Sequence, residues 1–336
     1  MVMSMKAIVY REFGSPDVLR LEDVEKPAPA DEEVLVAVHA AGVNMFDWYM
    51  VRGKPFVFRL VLGPRRPKPL GVDLAGVVEA VGRNVTRFKP GDEVFGTGRD
   101  KSVRSKRGSF AEYVSTYETM LAIKPRNVSF EQAAGIPVAG LTALQGLRNH
   151  GLLRRGQKVL VNGASGGVGT FAVQIAKAFG ADVTGVCSTR NVEMVRGIGA
   201  DHVIDYNREN FTTGATRYDV ILDIVGNQSW PDCRRMLTDN GKYVAAGGPP
   251  RRALPLMLRE PFTRGKLVTF VARANLADLN VLRQLIEDGR VTPVVDRTYP
   301  LAETAEAVRY VAAGHTRGKV VIKVSACTAL RCWQSS

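Results

Sequence analysis

Cysteine is scarce in this chain. Cys187, Cys233, Cys327 and Cys332 are the only four in 336 residues. They are too scattered for a disulfide framework and suit a reducing cytosol. Long apolar runs are also missing: none reaches the roughly 18 residues that a membrane-spanning helix needs. Met1-Val2-Met3-Ser4-Met5-Lys6 runs straight into the strand-like Ala7-Ile8-Val9-Tyr10. With no apolar segment and cleavage site there, no secretory signal is expected. Acid is in short supply, with 33 Asp and Glu against 46 Lys and Arg, a formal charge of +13. Basic residues gather in two loop-like runs, 63–69 and 99–107. Three readings stay open for them: a solvated loop, a positive field that draws in an anionic ligand, or a patch for nucleic acid or a membrane surface. Neither run interleaves aromatics for base stacking.

The length suggests two domains, and an apolar fraction of 45% is enough to build their cores. The most informative stretch is VLVNGASGGVGTFAVQIAKAFGADVTGVCSTR, residues 159–190. A buried strand enters the turn Ala164-Ser165-Gly166-Gly167-Val168-Gly169. A helix follows with Phe171, Ile175 and Phe179 on one face, and a second strand, Val183 to Cys187, closes the unit. This is a βαβ dinucleotide fingerprint of the A-x-G-x-x-G form. Gly166 lets backbone approach a pyrophosphate at the helix N-terminus, and Gly169 lets helix and strand pack tightly. NAD-binding units usually place an acid after the second strand, to bond the ribose 2′-hydroxyl. This chain has Ser188-Thr189-Arg190 there, two hydroxyls and a guanidinium suited to a 2′-phosphate. The expected cofactor is therefore NADPH. Tyr206, ending a third strand, is either a cover for the adenosine end or an edge-strand aromatic.

The first third reads as short strands with Gly and Pro turns, a distorted barrel. A helical stretch begins near Ser129, with Pro137 interrupting it. From Val159 strands and helices alternate, the pattern of a parallel sheet covered on both faces. The expected strands include Val220–Val225, Lys242–Ala245 and Leu267–Val271. An amphipathic helix covers Leu279 to Glu287, a second helix Glu303 to Ala312, and a last strand Lys319 to Lys323.

The segments MKAIVYREFGSPDVLRLEDV, GVNMFDWYMVRG, GVDLAGVVEAVG, FKPGDEVFG, GSFAEYV, NGASGGVG, GADHVIDY and RGKVVIKV together resemble one family. It is the zinc-independent branch of the medium-chain dehydrogenase/reductases, the quinone oxidoreductase or zeta-crystallin type. The resemblance covers residues 5–324. It implies an α/β protein with a GroES-like β-barrel domain from residues 1–127 and 274–326. A doubly wound Rossmann domain fills residues 128–273, leaving a tail at 327–336. The site lies in the cleft between the domains, and a homodimer forms through Rossmann edge strands near Leu267–Val271. Where zinc-dependent relatives carry a Cys and a His, this chain has Asn44 and Val72. Asp47 and Asp73 without soft ligands make a poor zinc site, and Thr97 to Ser109 holds no cysteine, so no metal is expected.

Without a Lewis acid, hydride transfer to a quinone or an α,β-unsaturated carbonyl is the easier chemistry. By resemblance Asn44 lies beside the nicotinamide ribose and can donate to an oxyanion. Tyr49 is the proton-donor candidate, with Asp47 in the same loop as a base or a loop anchor. Trp48 and Tyr49 are either substrate-facing or core aromatics. Val225, Gly247, Phe270 and Ala272, at strand C-termini, are expected to hold the far side of the cofactor. Lys319 either reaches the cleft or sits on a solvated face. The apolar stretch 54–62 is read as a lid for apolar acceptors or as a partner-facing patch. The alternatives are alcohol/aldehyde oxidoreduction and a nucleic-acid- or membrane-binding role on the same fold.

Overall fold

The computed structural model describes residues 3–54, 56, 59, 68–98 and 108–324. The basic runs at 63–67 and 99–107, most of the apolar stretch after Gly53, and the tail lie outside these residues.

Eight strands form from the first third: β1 (Ser4–Tyr10), β2 (Arg20–Glu25), β3 (Glu33–Val43), β4 (Lys68–Pro69), β5 (Asp73–Val81), β6 (Glu93–Thr97), β7 (Tyr113–Tyr117) and β8 (Leu121–Ile123). β3 is the central one. Its sequence, EVLVAVHAAGV, is buried along almost its whole length, as expected of a strand covered on both faces. It pairs antiparallel with both β5 and β7. Helix α1 (Met45–Arg52) follows β3 directly and ends at Gly53, whose φ of 58° suits only glycine without strain.

A second sheet is wholly parallel. Its strands are β9 (Lys158–Asn162), β10 (Asp182–Cys187), β11 (His202–Asp205), β12 (Tyr218–Asp223), β13 (Leu237–Ala245) and β14 (Leu267–Thr269). They lie in the order β11-β10-β9-β12-β13-β14, so the chain reverses direction across the sheet between β9 and β12. Val159 and Val161 pack on one face with Phe171 and Ile175 of helix α2 (Gly167–Ala178). Leu160 packs on the other with Ile221, Trp230 and Tyr243. A strand buried on both faces needs this unbroken apolar run.

Two expected strands are shorter. β12 stops at Asp223 because the Asp223 carboxylate accepts from the Val225 and Gly226 N–H groups, turning the chain out of the sheet. β14 stops at Thr269 and forms the edge of its sheet. Ser129 caps its helix as expected, and Pro137 opens a new one at Pro137–Gln145.

The chain then returns. Helix α3 (Leu276–Glu287) packs Leu279 and Leu282 into the core shared with Val159, while Asn127 bonds its Ile286 carbonyl. β15 (Val295–Pro300), helix α4 (Thr304–Ala312) and β16 (Lys319–Lys323) follow. β16 pairs antiparallel with β3, so both ends of the chain build one seven-stranded sheet. Among the described residues no helix is long and apolar enough to cross a membrane.

Candidate active site

The chain folds a cavity of about 660 Å³ at the point where the parallel sheet reverses. This is the place where open α/β sheets bind ligands. One wall is the turn after β9. A Cβ on Gly169 would lie 2.0 Å from the Gly163 carbonyl oxygen, so glycine there is needed for helix–strand contact. A Cβ on Gly166 would meet nothing nearer than 3.6 Å, so its missing side chain leaves space on the cavity side. Ser165, Gly166, Gly167 and Val168 line the cavity; Ala164 and Gly169 lie behind it. Helix α2 starts at the cavity wall with no side chain capping it, which leaves N–H groups for an anion. Gly318, just before β16, makes a lone parallel bridge to Gly166. That contact lays Gly314, His315, Thr316 and Lys319 along the opposite wall, and sequence reading had named none of the first three.

At the ends of β10 and β11 Ser188, Arg190 and the half-exposed Tyr206 line the cavity. Thr189 does not: its hydroxyl donates to Asp205 at 2.6 Å and accepts from Asn207. The loop therefore has a carboxylate behind it. Asp205 is held below the usual carboxylate range by the Thr189 hydroxyl above all. The exposed Arg190 guanidinium donates to the His315 carbonyl across the cleft at 2.7 Å. Burial pushes the Cys187 thiol up to about 11, so this cavity-lining cysteine is a neutral thiol and no nucleophile.

Val225 and Gly247 line the far wall, joined by Asn162 and Asn227. The wall is fixed from beneath by Asp223, which accepts from Asn162 and from Tyr243. Phe270 and Ala272 are not among the lining residues. Phe270 instead lies against His150, with ring centroids 4.3 Å apart, and it fills the space beside Gly146.

The wall around Asn44 departs most from expectation. Asn44 and Tyr49 line the cavity. Asp47 is buried, and its carboxylate accepts from the Asn44 backbone N–H at 2.8 Å, the anchor of α1 rather than a cleft residue. Trp48 packs against the barrel core. The Asn44 amide is also committed: its Nδ2 donates to Asp73 at 3.0 Å and to the Gly42 carbonyl at 3.4 Å, and its Oδ1 accepts from Lys319 Nζ at 2.6 Å. It therefore has no free donor directed at an oxyanion. Lys319 is 4% exposed; its Nζ also reaches the Val43 carbonyl and, at 3.4 Å, Asp73. Complete burial pulls the Asp73 carboxyl upward more strongly than Lys319 and Asn44 pull it down. Tyr49 lines the same cavity as Asn44 and Lys319, and burial raises its phenol above the ordinary tyrosine value, leaving a protonated hydroxyl. The clue to Lys319 was a lysine opening the apolar run KVVIK, with only tertiary structure to say that its side chain turns inward.

The cluster bears on zinc. Around Asn44 and Asp73 the donors are an amide and one carboxylate, with an ammonium in hydrogen-bond contact with both. This donor set does not fit Zn²⁺, which takes thiolate, imidazole or several carboxylates and is repelled by a resident cation.

Two families match the chain: the alcohol dehydrogenase GroES-like domain over residues 30–126 and zinc-binding dehydrogenase over residues 198–322. An NADPH-dependent alkenal/one oxidoreductase, chloroplastic, of Arabidopsis thaliana is 37% identical, covering 95% of this chain and 79% of that one. A 2-methylene-furan-3-one reductase of Solanum lycopersicum is 36% identical over the same shares, 95% and 79%. The structure of the quinone oxidoreductase from Coxiella burnetii superposes with a TM-score of 0.87 at 31% identity, covering 96% of this chain and 100% of that one.

Proposed function

We propose a reaction from one premise: this chain belongs to the medium-chain dehydrogenase/reductase family, in its quinone oxidoreductase branch, and is an oxidoreductase with a nicotinamide cofactor. The reaction is zinc-independent transfer of hydride from NADPH to a quinone or to the β-carbon of an α,β-unsaturated carbonyl. The observation that carries it is the Asn44–Lys319–Asp73 cluster, whose Asn44 and Lys319 line the same cavity as the glycine turn and Tyr49.

When bound, the cofactor supplies the hydride. The chain supplies the rest. The α2 N-terminus and the glycine turn hold phosphate, and the 188–190 turn faces the adenosine end. Hydride addition to an enone or quinone moves negative charge onto the carbonyl oxygen, which must meet a donor. Tyr49 is that donor, because its raised pKa keeps its proton at neutral pH. Lys319 keeps a positive charge in the wall without metal chemistry, and it holds the Asn44 amide with its oxygen toward the ammonium. An alcohol offers no such charge sink and would need a metal or a strong base, which speaks against alcohol oxidation.

NADPH rather than NADH is supported by Ser188 and Arg190 on the cavity wall and by the name of the Arabidopsis relative. Arg190 can leave the His315 carbonyl for a phosphate, an exchange of a neutral acceptor for a charged one. β14 is a sheet edge, and next to it Phe262 and Val271 are 87% and 83% exposed, which supports pairing of two copies there. The test of function is oxidation of NADPH against NADH with a chelator present, using 9,10-phenanthrenequinone and a 2-alkenal as paired acceptors. Turnover with NADPH is expected. Turnover that requires added zinc, or occurs only with alcohols, overturns the proposal.

A further inference from the structure

Asn191 follows the 188–190 turn and is 3% exposed, yet it belongs to the cavity wall. Its amide nitrogen donates to two hydroxyl oxygens, Ser165 at 3.0 Å and Ser188 at 3.2 Å. Its Oδ1 is buried with no hydrogen-bond partner. A buried amide oxygen without a donor is rare and calls for a reason.

The reason follows from hydrogen counting. A primary amide has two N–H hydrogens, and here each goes to one serine. A serine oxygen that accepts from Asn191 keeps its own hydrogen free to donate elsewhere. Both serines line the cavity, so both hydroxyl hydrogens are available to an anion there. The reverse orientation would give Oδ1 a partner, but it would draw both hydroxyl hydrogens toward Asn191 and present only lone pairs to the cavity. Thr189 marks the contrast, since its hydrogen is committed to Asp205. The pair of hydroxyls available to a phosphate is therefore Ser165 and Ser188, one from the glycine turn and one from the end of β10.

We propose that Asn191 is a positioning residue that sets the polarity of Ser165 and Ser188, making both donors to the 2′-phosphate of NADPH. This rests on the cofactor reading above. It makes the choice between NADPH and NADH depend on a buried amide that need not touch the cofactor.

The test is dissociation constants of NADPH and NADH, read from the fluorescence of the bound dinucleotide, for the wild type, Asn191→Ala, Ser165→Ala/Ser188→Ala and the triple variant. Each charge-assisted hydrogen bond to phosphate is worth roughly a factor of ten or more, so Asn191→Ala should cut the preference for NADPH about tenfold. In the background without the serines, Asn191→Ala should leave the preference where the double variant put it. A merely structural role would weaken both dinucleotides by one factor and leave their ratio alone. An unchanged ratio, or a full Asn191 effect without the serines, overturns the inference. A wild type that binds NADH as tightly as NADPH overturns the cofactor reading instead, and that result is visible before any variant is made.

Discussion

At the glycine turn the cleft is made of backbone; around Asn44 it is made of buried side-chain charge. The glycine turn and the first N–H groups of α2 come from one short run, residues 163–170, and need no charged side chain. The other end joins Asn44, Asp73 and Lys319, which come from β3's end, β5 and β16. The difference sets what each end tolerates. A backbone site fails when a side chain intrudes. A buried charge cluster fails when one member is removed and the others are left unpaired.

The largest expected effect sharpens this contrast. Lys319→Met leaves Asp73 buried beside no cation, and breaking a buried pair costs about 3–5 kcal/mol. Adding Asp73→Asn should recover much of that loss. Denaturant unfolding of both variants measures it, and equal losses would mean that the two side chains are not coupled. Next is Tyr49→Phe, expected to lower turnover about 100-fold without loosening NADPH. Because burial raises the Tyr49 pKa, the hydroxyl stays protonated to higher pH than an ordinary tyrosine. The rate should therefore fall only at strongly alkaline pH, and a rate profile of Tyr49→Phe should lack that fall.

The glycine turn gives smaller effects that separate two of its glycines. Gly169→Ala forces a Cβ against the Gly163 carbonyl, and overpacking of this kind costs about 1–3 kcal/mol. Gly166→Ala meets open space, so its melting temperature should match wild type while dinucleotide affinity drops. If both glycines changed stability alike, the division between packing and ligand space would be wrong. The smallest effect is none at all. Chelation should leave turnover unchanged, and metal analysis should find well below one zinc per chain. A stoichiometric, tightly held zinc would break the account of the wall around Asn44.

Legibility in the sequence follows the same divide. The glycine turn, its flanking strands and the 188–190 turn lie within about one βαβ unit, where spacing alone carries the geometry. The return of the chain ends into one sheet was readable only through the family resemblance, because pairing of β16 with β3 spans most of the chain. Phe270 and Ala272 were expected at the cofactor, but β14 ends before them and Phe270 turns to His150. Thr189 and Arg190 were read together as phosphate ligands; Asp205, fifteen residues past Arg190, takes the threonine hydroxyl, and periodicity says nothing about such a side-chain bond.

By itself the sequence determined the βαβ unit, its glycine turn and the strand runs buried on two faces. Those features depend on local spacing and residue type. Only the tertiary structure decided that Lys319 points inward, that the Asn44 amide bonds Asp73 and Lys319, and that the Asn191 amide donates to Ser165 and Ser188. Each of these depends on where a hydrogen goes between residues brought together by folding, and hydrogen-bond direction leaves no trace in residue order.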